Sequence, residues 1–435
     1  SLKSGADELS KGYLGMLCVS LASIKQYYDD GGKRDIFFHM VGTTLDSTQK
    51  LIRNLNLENR CITYGPMQGE QLDQVYDKAN IAVVCLANHR IGSTYGSALK
   101  TKEYIAKKNL KWAFINIYAG ETSTLSSCCR LRSNKNNEYL GYTNSFGGAS
   151  TQIGSFGVCT LNLPHIALFA NQNEDLFFEK LKENVDYSIK LNHVKRYILE
   201  KRIKIGALPL YTHQFMDLKK QYATTGVNGL YECIKFLGKD ILEEDGQELC
   251  KKILNTINEI NDKADKEYKY AHNLEQTPSE NSAIKLASKD KVQNLQNEYA
   301  LYSNQFIPLI VSANLLDRIR LQGMFDSEFS GGSIMHCGCD MRVESYENLM
   351  KMIRATVKAG VVYHAINYNL QKCEDGHMSV GKNDKCSICG KDITDNYVRV
   401  VGFIVNTKNF HKVRREVDYP NRQLYSKDDI ESIGE

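Results

Sequence analysis

The sequence predicts an α/β protein with more than one domain, and three observations support this class. Strand and helix patterns alternate near the N-terminus, charged segments of helical periodicity fill the middle, and a cysteine cluster precedes a strand pattern near the C-terminus. A chain of 435 residues is long enough for two or three domains with separate cores. We expect domains at residues 1–112, 113–370 and 371–435.

Composition excludes several classes of function. The hydrophobic content of 42% and charged content of 24% are ordinary for a soluble protein, and a net charge of +4 does not indicate a nucleic-acid partner. The sequence shows neither a membrane-spanning apolar run nor a secretory signal. Thirteen cysteines in such a chain indicate thiols, metal ligands and redox groups, so we expect a cytoplasmic protein.

The N-terminal part alternates between strands and helices. We predict strands at residues 35–41, 61–64 and 81–86 and helices at 24–28, 51–55 and 72–79. This order is typical of a parallel sheet covered by helices.

Short motifs in this part resemble the nucleotide-sugar-binding domain of GT-B glycosyltransferases, which is a Rossmann-like half. The motifs are Val41-Gly42-Thr43, the segment 64–72, His89-Arg90 and the segment 99–104. The resemblance implies that Gly42 lies near the diphosphate, with Lys100 and Glu103 on phosphate and ribose. The family's paired glutamates are broken at Tyr95, and Lys100 and Glu103 also fit a solvated helix start. Nucleotide-sugar-dependent glycosyl transfer is therefore the alternative function.

The middle of the chain predicts long helices and a loop. Residues 174–204 and 238–270 have helical spacing, and Pro278 with Glu280 suits a helix start. The glycine-punctuated segment 222–232 predicts a loop before a helix.

Two cysteine groups carry candidate chemistry. Cys128 and Cys129 lie in a polar segment that predicts a loop, and adjacent cysteines rarely form a mutual disulfide because its geometry is strained. Cys337 and Cys339 are two residues apart, which places both thiols on one side of an extended segment. For Cys128 and Cys129 the alternative is simple burial of two small side chains. For the second pair the alternative is that only Cys337 reacts and Cys339 is a packing residue.

A third group has the spacing of a structural zinc site. Its members are Cys373, His377, Cys386 and Cys389, of which the Cys386–Cys389 half is the stronger signal and His377 the weaker. Four ligands leave no open position, so the metal would be structural, and the donor types favour zinc over an iron–sulfur cluster.

Residues 397–406 read as a buried strand interrupted by Gly402. A bulge is the usual reason for such a glycine. Because it lacks a Cβ, glycine can also flatten and delocalise an unpaired electron between its amides.

The segment 126–132 and the run from Tyr397 to Tyr425 together resemble the C-terminal catalytic half of anaerobic (class III) ribonucleoside-triphosphate reductases, which are glycyl-radical enzymes. The resemblance extends from about Phe114 to the C-terminus. It implies part of a glycyl-radical-type α/β barrel, followed by a zinc knuckle and a glycyl-radical loop. The family's N-terminal half is not recognisable in the first part of this sequence, so we expect an incomplete barrel.

The resemblance also implies roles. Gly402 would store the radical and Cys129, with Cys128 as the second choice, would become the thiyl radical that takes the ribose 3′ hydrogen. Asn162 would bind ribose hydroxyls or bond a neighbouring loop, and Arg130 would meet substrate phosphates or anchor its loop.

The reductant and the partners follow from the same resemblance. In formate-using members a glutamate stands at the position of Cys339, so the Cys337–Cys339 pair favours a thioredoxin-like reductant, with formate as the alternative. An activase with S-adenosylmethionine and a 4Fe–4S cluster would install the radical. The intact family also implies a homodimer.

Overall fold

A computed structural model describes this chain at residues 25, 28–29, 31, 38–41, 46–64, 117–118, 124–126, 132–134, 154–293, 295–343, 345–400 and 403–433. The chain divides into two compact units, Ser1–Arg90 with Thr143–Ser150 and Ile91–Tyr142 with Thr151–Glu435. No helix in the described ranges is both long and apolar enough to cross a membrane.

The first unit contains a parallel strand pair joined by a helix. Strand β1 (Phe38–Val41) pairs in parallel with β2 (Cys61–Tyr64), and α1 (Asp46–Asn54) connects them. The helix packs through Ile52, which is buried together with Leu57 in the turn that follows. This confirms the predicted alternation up to residue 64, whereas the elements predicted at 72–79 and 81–86 lie outside the described residues.

The second unit begins with three short strands. These are β3 (Ile117–Tyr118), β4 (Thr124–Ser126) and β5 (Arg132–Asn134). β4 and β5 are antiparallel, with Ser126 opposite Arg132. The segment that carries Cys128 and Cys129 therefore connects two paired strand ends, and its own residues 127–131 lie outside the described part.

A three-stranded parallel sheet forms the main core of this unit. Its strands are β6 (Gly154–Asn162), β7 (Gln221–Asn228) and β8 (His272–Gln276), in the order β6-β7-β8. The helices that connect them are α2 (Leu163–Ala170), α3 (Glu174–Lys204), α4 (Pro209–Thr212), α5 (Leu230–Phe236) and α6 (Glu244–Tyr268). Apolar side chains of α2, α3, α5 and α6 bury one face of the sheet.

Helix α3 matches the predicted range because its ends carry strong signals. The Asn173 side chain accepts a hydrogen bond from the Leu176 amide, and acidic residues fill the first turn. Basic residues occupy the last turn, where their positive charges interact favourably with the negative end of the helix dipole. The second long helix, α6, is shorter than its predicted range of 238–270.

The prediction of a loop at residues 222–232 is wrong, because most of this segment is the fully buried strand β7. A Cβ at Gly226 would lie 2.2 Å from Thr277 Oγ1, so this glycine permits a close approach of neighbouring strands. Gly229, at φ +76°, starts α5 in a left-handed conformation. One glycine therefore marks close strand packing and the other marks a helix start.

A second sheet lies further along the chain. α7 (Glu280–Val292), α8 (Leu315–Phe325) and α9 (Tyr346–Lys358) accompany β9 (Met335–Cys339) and β10 (Tyr363–Tyr368). β9 and β10 are parallel, and β3 pairs antiparallel with β10. Glu275 at β8 bridges in parallel to Gly332, just before β9, and this bridge continues the strand order from the first sheet.

The C-terminal part is an antiparallel sheet of four strands. They are β11 (Leu370–Cys373), β12 (Met378–Val380), β13 (Ile393–Val400) and β14 (Phe403–Asn406), in the order β12-β11-β13-β14. Short 3₁₀ and π turns follow, and α10 (Lys427–Glu431) begins with a capping box at Ser426.

Candidate functional site

The four residues of the predicted zinc site come together. One ligand atom from each of Cys373, His377, Cys386 and Cys389 lies within 4.8 Å of the others. Cys373 Sγ is 3.6 Å from His377 Nδ1 and 3.7 Å from Cys389 Sγ. Two thiolates on a tetrahedral zinc ion with bonds of about 2.3 Å would lie about 3.8 Å apart. The donor types and spacing therefore fit a closed tetrahedral site.

Two tight turns create this arrangement. At the end of β11 the Cys373 amide donates to the His377 carbonyl, and Gly376 adopts φ +82° between them. In the second turn Gly390, at φ +70°, donates to the Cys386 carbonyl. The backbone amides of Cys389 and Ile388 point at Cys386 Sγ and lower the pKa of this thiol to about 7. The turn therefore favours the thiolate that a metal needs.

The strand pair that carries Gly402 is attached to this cluster. Cys373 of β11 pairs with Ile393, the first residue of β13. Val400 at the end of β13 pairs with Phe403 at the start of β14. The composition of residues 397–406 reads as one strand interrupted by Gly402, and in the structure the run folds back as a hairpin. Gly402 belongs to the connection and lies outside the described residues.

The Cys337 and Cys339 thiols occupy a different environment. Both lie on β9, which confirms the predicted extended segment, and both are fully buried in an apolar cluster. A hydrogen bond with Cys337, and then burial, raise the pKa of Cys339 well above its ordinary value. Cys339 therefore remains a thiol at neutral pH, in hydrogen-bond contact with Cys337.

The C-terminal segment encloses this strand. The Tyr425 amide donates to the Gly338 carbonyl at 2.8 Å, and the Asp340 amide donates to the Tyr425 carbonyl at 3.2 Å. The Tyr425 hydroxyl accepts from Arg318 Nε at 2.8 Å, and Arg318 is itself buried. Arg318, which precedes β9 in sequence, and Tyr425, which follows the β13–β14 hairpin, thus hold the thiol pair inside the core.

Asn162 lies at the carboxyl end of β6, opposite Asn228 at the end of β7. Its Nδ2 donates to Asp290 Oδ2 at 3.1 Å, and its Oδ1 accepts from the His165 amide at 3.4 Å. Ligands of open α/β sheets bind outside the carboxyl ends of parallel strands. The position suits a substrate contact. The amide is also bonded within the protein, to partners in the helices α7 and α2, whereas the alternative interpretation expected a neighbouring loop.

Sequence reasoning missed the carboxylate that holds Asn162. The Asp290 side chain is 1% exposed and accepts from His165 Nδ1 at 2.7 Å and from the Tyr302 hydroxyl at 2.6 Å. Burial acts to raise the pKa of Asp290, but hydrogen bonds led by His165 hold it below its ordinary value. The same hydrogen bond raises the pKa of His165. Asp290 is 128 residues from Asn162 in sequence, and no local pattern indicates this contact.

Seven predicted site residues lie outside the described ranges. They are Gly402, Cys128, Cys129, Arg130, Gly42, Lys100 and Glu103. Their proposed roles stay predictions.

Comparison with known proteins gives one consistent result. Residues 81–425 match the family model described as "Anaerobic ribonucleoside-triphosphate reductase". This range includes the last part of the segment that resembles a glycosyltransferase. No curated protein matches the chain significantly.

Solved structures agree with the family model. An "Anaerobic ribonucleotide reductase" is 34% identical with a TM-score of 0.66, over 75% of this chain and 52% of that one. The anaerobic ribonucleotide reductase from Thermotoga maritima in complex with dATP and CTP is 35% identical with a TM-score of 0.63, over 73% of this chain and 52% of that one. The chain thus spans about half the length of these relatives. Neither the family model nor these structures support the glycosyltransferase resemblance.

Proposed function

The chain belongs to the anaerobic ribonucleoside-triphosphate reductase family, and from this membership we propose that it takes part in reducing ribonucleoside triphosphates to 2′-deoxyribonucleoside triphosphates. The reaction proposed is that of the whole enzyme, to which this chain contributes the glycine hairpin and the reducing thiols. The described fold is a mixed α/β structure similar to these reductases.

One observation carries the proposal: consecutive strands connect the buried thiols to the glycine hairpin. β9, with Cys337 and Cys339, pairs with β10, and β11 follows β10 after one residue. β11 pairs with β13, whose hairpin with β14 includes Gly402 in its connection. The β6-β7-β8 sheet and the bridge to Gly332 support the proposal that these strands belong to a partial barrel.

Each residue then has a proposed task. A glycyl radical at Gly402, installed by an activase with S-adenosylmethionine and a 4Fe–4S cluster, supplies the unpaired electron. Cys129 gives up its thiol hydrogen atom and takes the hydrogen atom from C3′ of the ribose, with Cys128 as the second choice. The Asn162 side-chain amide forms hydrogen bonds to the ribose hydroxyls with the capacity that its bond to Asp290 leaves unused, and Arg130 binds the phosphates.

Cys337 and Cys339 supply two electrons. Their two S–H bonds are replaced by one S–S bond, and the electrons and protons go to the substrate as the 2′ hydroxyl leaves as water. A thioredoxin-like dithiol then reduces the disulfide. Cys339 in place of a glutamate argues against formate. Because both thiols are buried and the pKa of Cys339 is raised, exchange with an external thiol requires local opening of β9.

The Cys/His cluster has a structural task in this proposal. Cys373, His377, Cys386 and Cys389 would hold zinc, since three thiolates and one imidazole leave no position open for a substrate. Metal binding would fix the relation between β11 and β13 and thereby the base of the glycine hairpin. A homodimer and a cytoplasmic location belong to the same proposal.

The experiment is electron paramagnetic resonance of anaerobic protein treated with an activase of the family, S-adenosylmethionine and a reductant. The proposal predicts a doublet from the α-hydrogen of the glycine radical, and no such signal from Gly402→Ala. Folded, zinc-loaded protein that gives no signal, or a signal that persists in Gly402→Ala, would contradict it.

Glycosyl transfer is not proposed. The parallel β1-α1-β2 unit occurs in many unrelated folds and carries no specific sign of a nucleotide sugar. The residues on which that function depends, Gly42, Lys100 and Glu103, lie outside the described ranges.

A further inference from the structure

A small cavity is lined in part by β13, the first strand of the glycine hairpin. Its wall includes Arg399 of β13, Asn369 between β10 and β11, Lys382 after β12, and Arg422 of the C-terminal segment. Its volume is about 30 Å³. This is room for one or two water molecules or a small ion, but not for a nucleotide.

The cavity wall is positively charged. Among the described lining residues three carry a positive charge, and none of these described residues carries a carboxylate. Behind the wall, Arg422 donates to Asp418 from Nε at 2.9 Å and from Nη2 at 2.7 Å. Arg414 donates to the same carboxylate at 2.7 Å. One carboxylate thus serves two guanidinium groups, so it does not neutralise the positive charge of this region.

The side chains show the effects of this charge. Burial and the charge of Arg422 lower the pKa of Lys382, which indicates that two like charges lie close together at the cavity. Arg399 is 6% exposed, and burial lowers its pKa as well. Asn369 is 5% exposed, and its Nδ2 has no hydrogen-bond partner among the described residues. A buried donor without an acceptor is costly, and an anion in the cavity would supply the acceptor.

We propose that this cavity binds a small planar oxyanion, of the class that includes bicarbonate and short carboxylates. Guanidinium, ammonium and amide groups from four chain segments line it, and such donors match the in-plane lone pairs of a carboxylate. The bound anion connects β13, three residues before Gly402, to the segment that encloses β9. This site goes beyond the reduction reaction, because binding needs neither a radical nor a nucleotide.

The test is the carboxyl line width of [1-¹³C]acetate, measured by NMR during titration of the folded, zinc-loaded chain. We expect saturable broadening that bicarbonate reverses and that chloride at equal ionic strength leaves unchanged. Lys382→Gln should weaken acetate binding about tenfold, because it removes one charge-assisted hydrogen bond. The matched control is Lys412→Gln, which removes an exposed lysine outside the cavity and should bind acetate as the unaltered chain does.

Two more variants decide the outcome even if one folds poorly. Asn369→Asp places a carboxylate in the cavity and should abolish broadening, whereas Arg399→Gln should weaken binding at least as much as Lys382→Gln. Equal broadening in Lys382→Gln, Asn369→Asp and Lys412→Gln would overturn the proposal. Displacement by chloride as effective as that by bicarbonate would also overturn it, since it would show only a general positive patch.

Discussion

Cys339 and Cys386 in the second unit have opposite environments, although each belongs to a group of closely spaced thiols. Cys337 and Cys339 are fully buried on an extended strand, where their thiols share a hydrogen bond among apolar side chains. Cys386 lies in a tight turn whose amides donate to its sulfur. Burial raises a thiol pKa and amide donors lower it. A hydrogen bond with Cys337 and burial therefore raise the pKa of Cys339, whereas the backbone amides of a tight turn lower the pKa of Cys386.

Loss of a metal ligand should have the largest effect. In Cys389→Ser we expect zinc content to fall from about one ion per chain to near zero, with the unfolding midpoint lower by about 10 °C, because metal binding stabilises the fold. Metal analysis and thermal unfolding measure both quantities. Cys61→Ser, in the first unit, is the matched control and should keep its zinc. Full zinc retention in Cys389→Ser would contradict the assignment of Cys389 as a metal ligand and thus the contrast with the buried thiol pair.

The pKa values of Cys386 and Cys339 test directly the contrast between the two cysteine environments. In zinc-free protein, the thiolate absorbance that distinguishes the unaltered chain from Cys386→Ala should appear with a midpoint near pH 7, since the pKa of Cys386 is lowered to about 7. The corresponding difference for Cys339→Ala should stay absent through pH 9, because the pKa of Cys339 is raised. Ultraviolet titration measures both, and similar midpoints for the two variants would remove the distinction.

A smaller effect should follow from removing a side-chain hydrogen bond of Tyr425, the residue that pairs with β9. Tyr425→Phe removes the acceptor for the buried Arg318 and should lower the free energy of unfolding by about 1–3 kcal/mol. Urea unfolding measures it. Tyr187→Phe, at a hydroxyl on the exposed face of α3, should change the free energy by less than about 0.5 kcal/mol. Equal effects would mean that the hydrogen bond from Arg318 to the Tyr425 hydroxyl does not stabilise the fold.

The smallest effect concerns His165, a third kind of titrating environment. Its pKa is raised in the folded chain by Asp290, so this interaction stabilises fully below the unfolded pKa of about 6.5 and is lost as pH rises through the folded value. Asp290→Asn should therefore destabilise more at pH 6 than at pH 9. The pH-dependent part should stay below about 1 kcal/mol, because His165 is 41% exposed. A larger loss at pH 9 would contradict this sign.

The sequence was sufficient for features that depend on short spacings. All four members of the Cys/His cluster could be predicted, because two turns and one strand pair bring them together. The extended Cys337–Cys339 segment was predicted for the same reason. The boundaries of α3 follow from the cap at Asn173 and the charges of its end turns.

Features that depend on distant contacts could not be predicted. Nothing near Asn162 indicates Asp290, since the two meet only when α7 packs against the end of β6. The glycines around Gly226 predict a loop, whereas in the structure the lack of a Cβ at Gly226 leaves room for the Thr277 side chain of the neighbouring segment. The run 397–406 has the composition of one strand, and only pairing of Val400 with Phe403 reveals a hairpin.

The most direct measurement is the oxidation state of each cysteine after a single turnover. The chain would be activated and combined with the additional part of the enzyme that its relatives contain. After one turnover without external reductant, the reaction would be quenched and the cysteines analysed by mass spectrometry. The account predicts one Cys337–Cys339 disulfide per deoxynucleotide formed, with Cys373, Cys386 and Cys389 still reduced. Residues two apart on a strand are separated by about 6.6 Å, near the upper limit for a disulfide, so the bond requires a local adjustment of β9. Product formed while both thiols stay reduced would contradict the account.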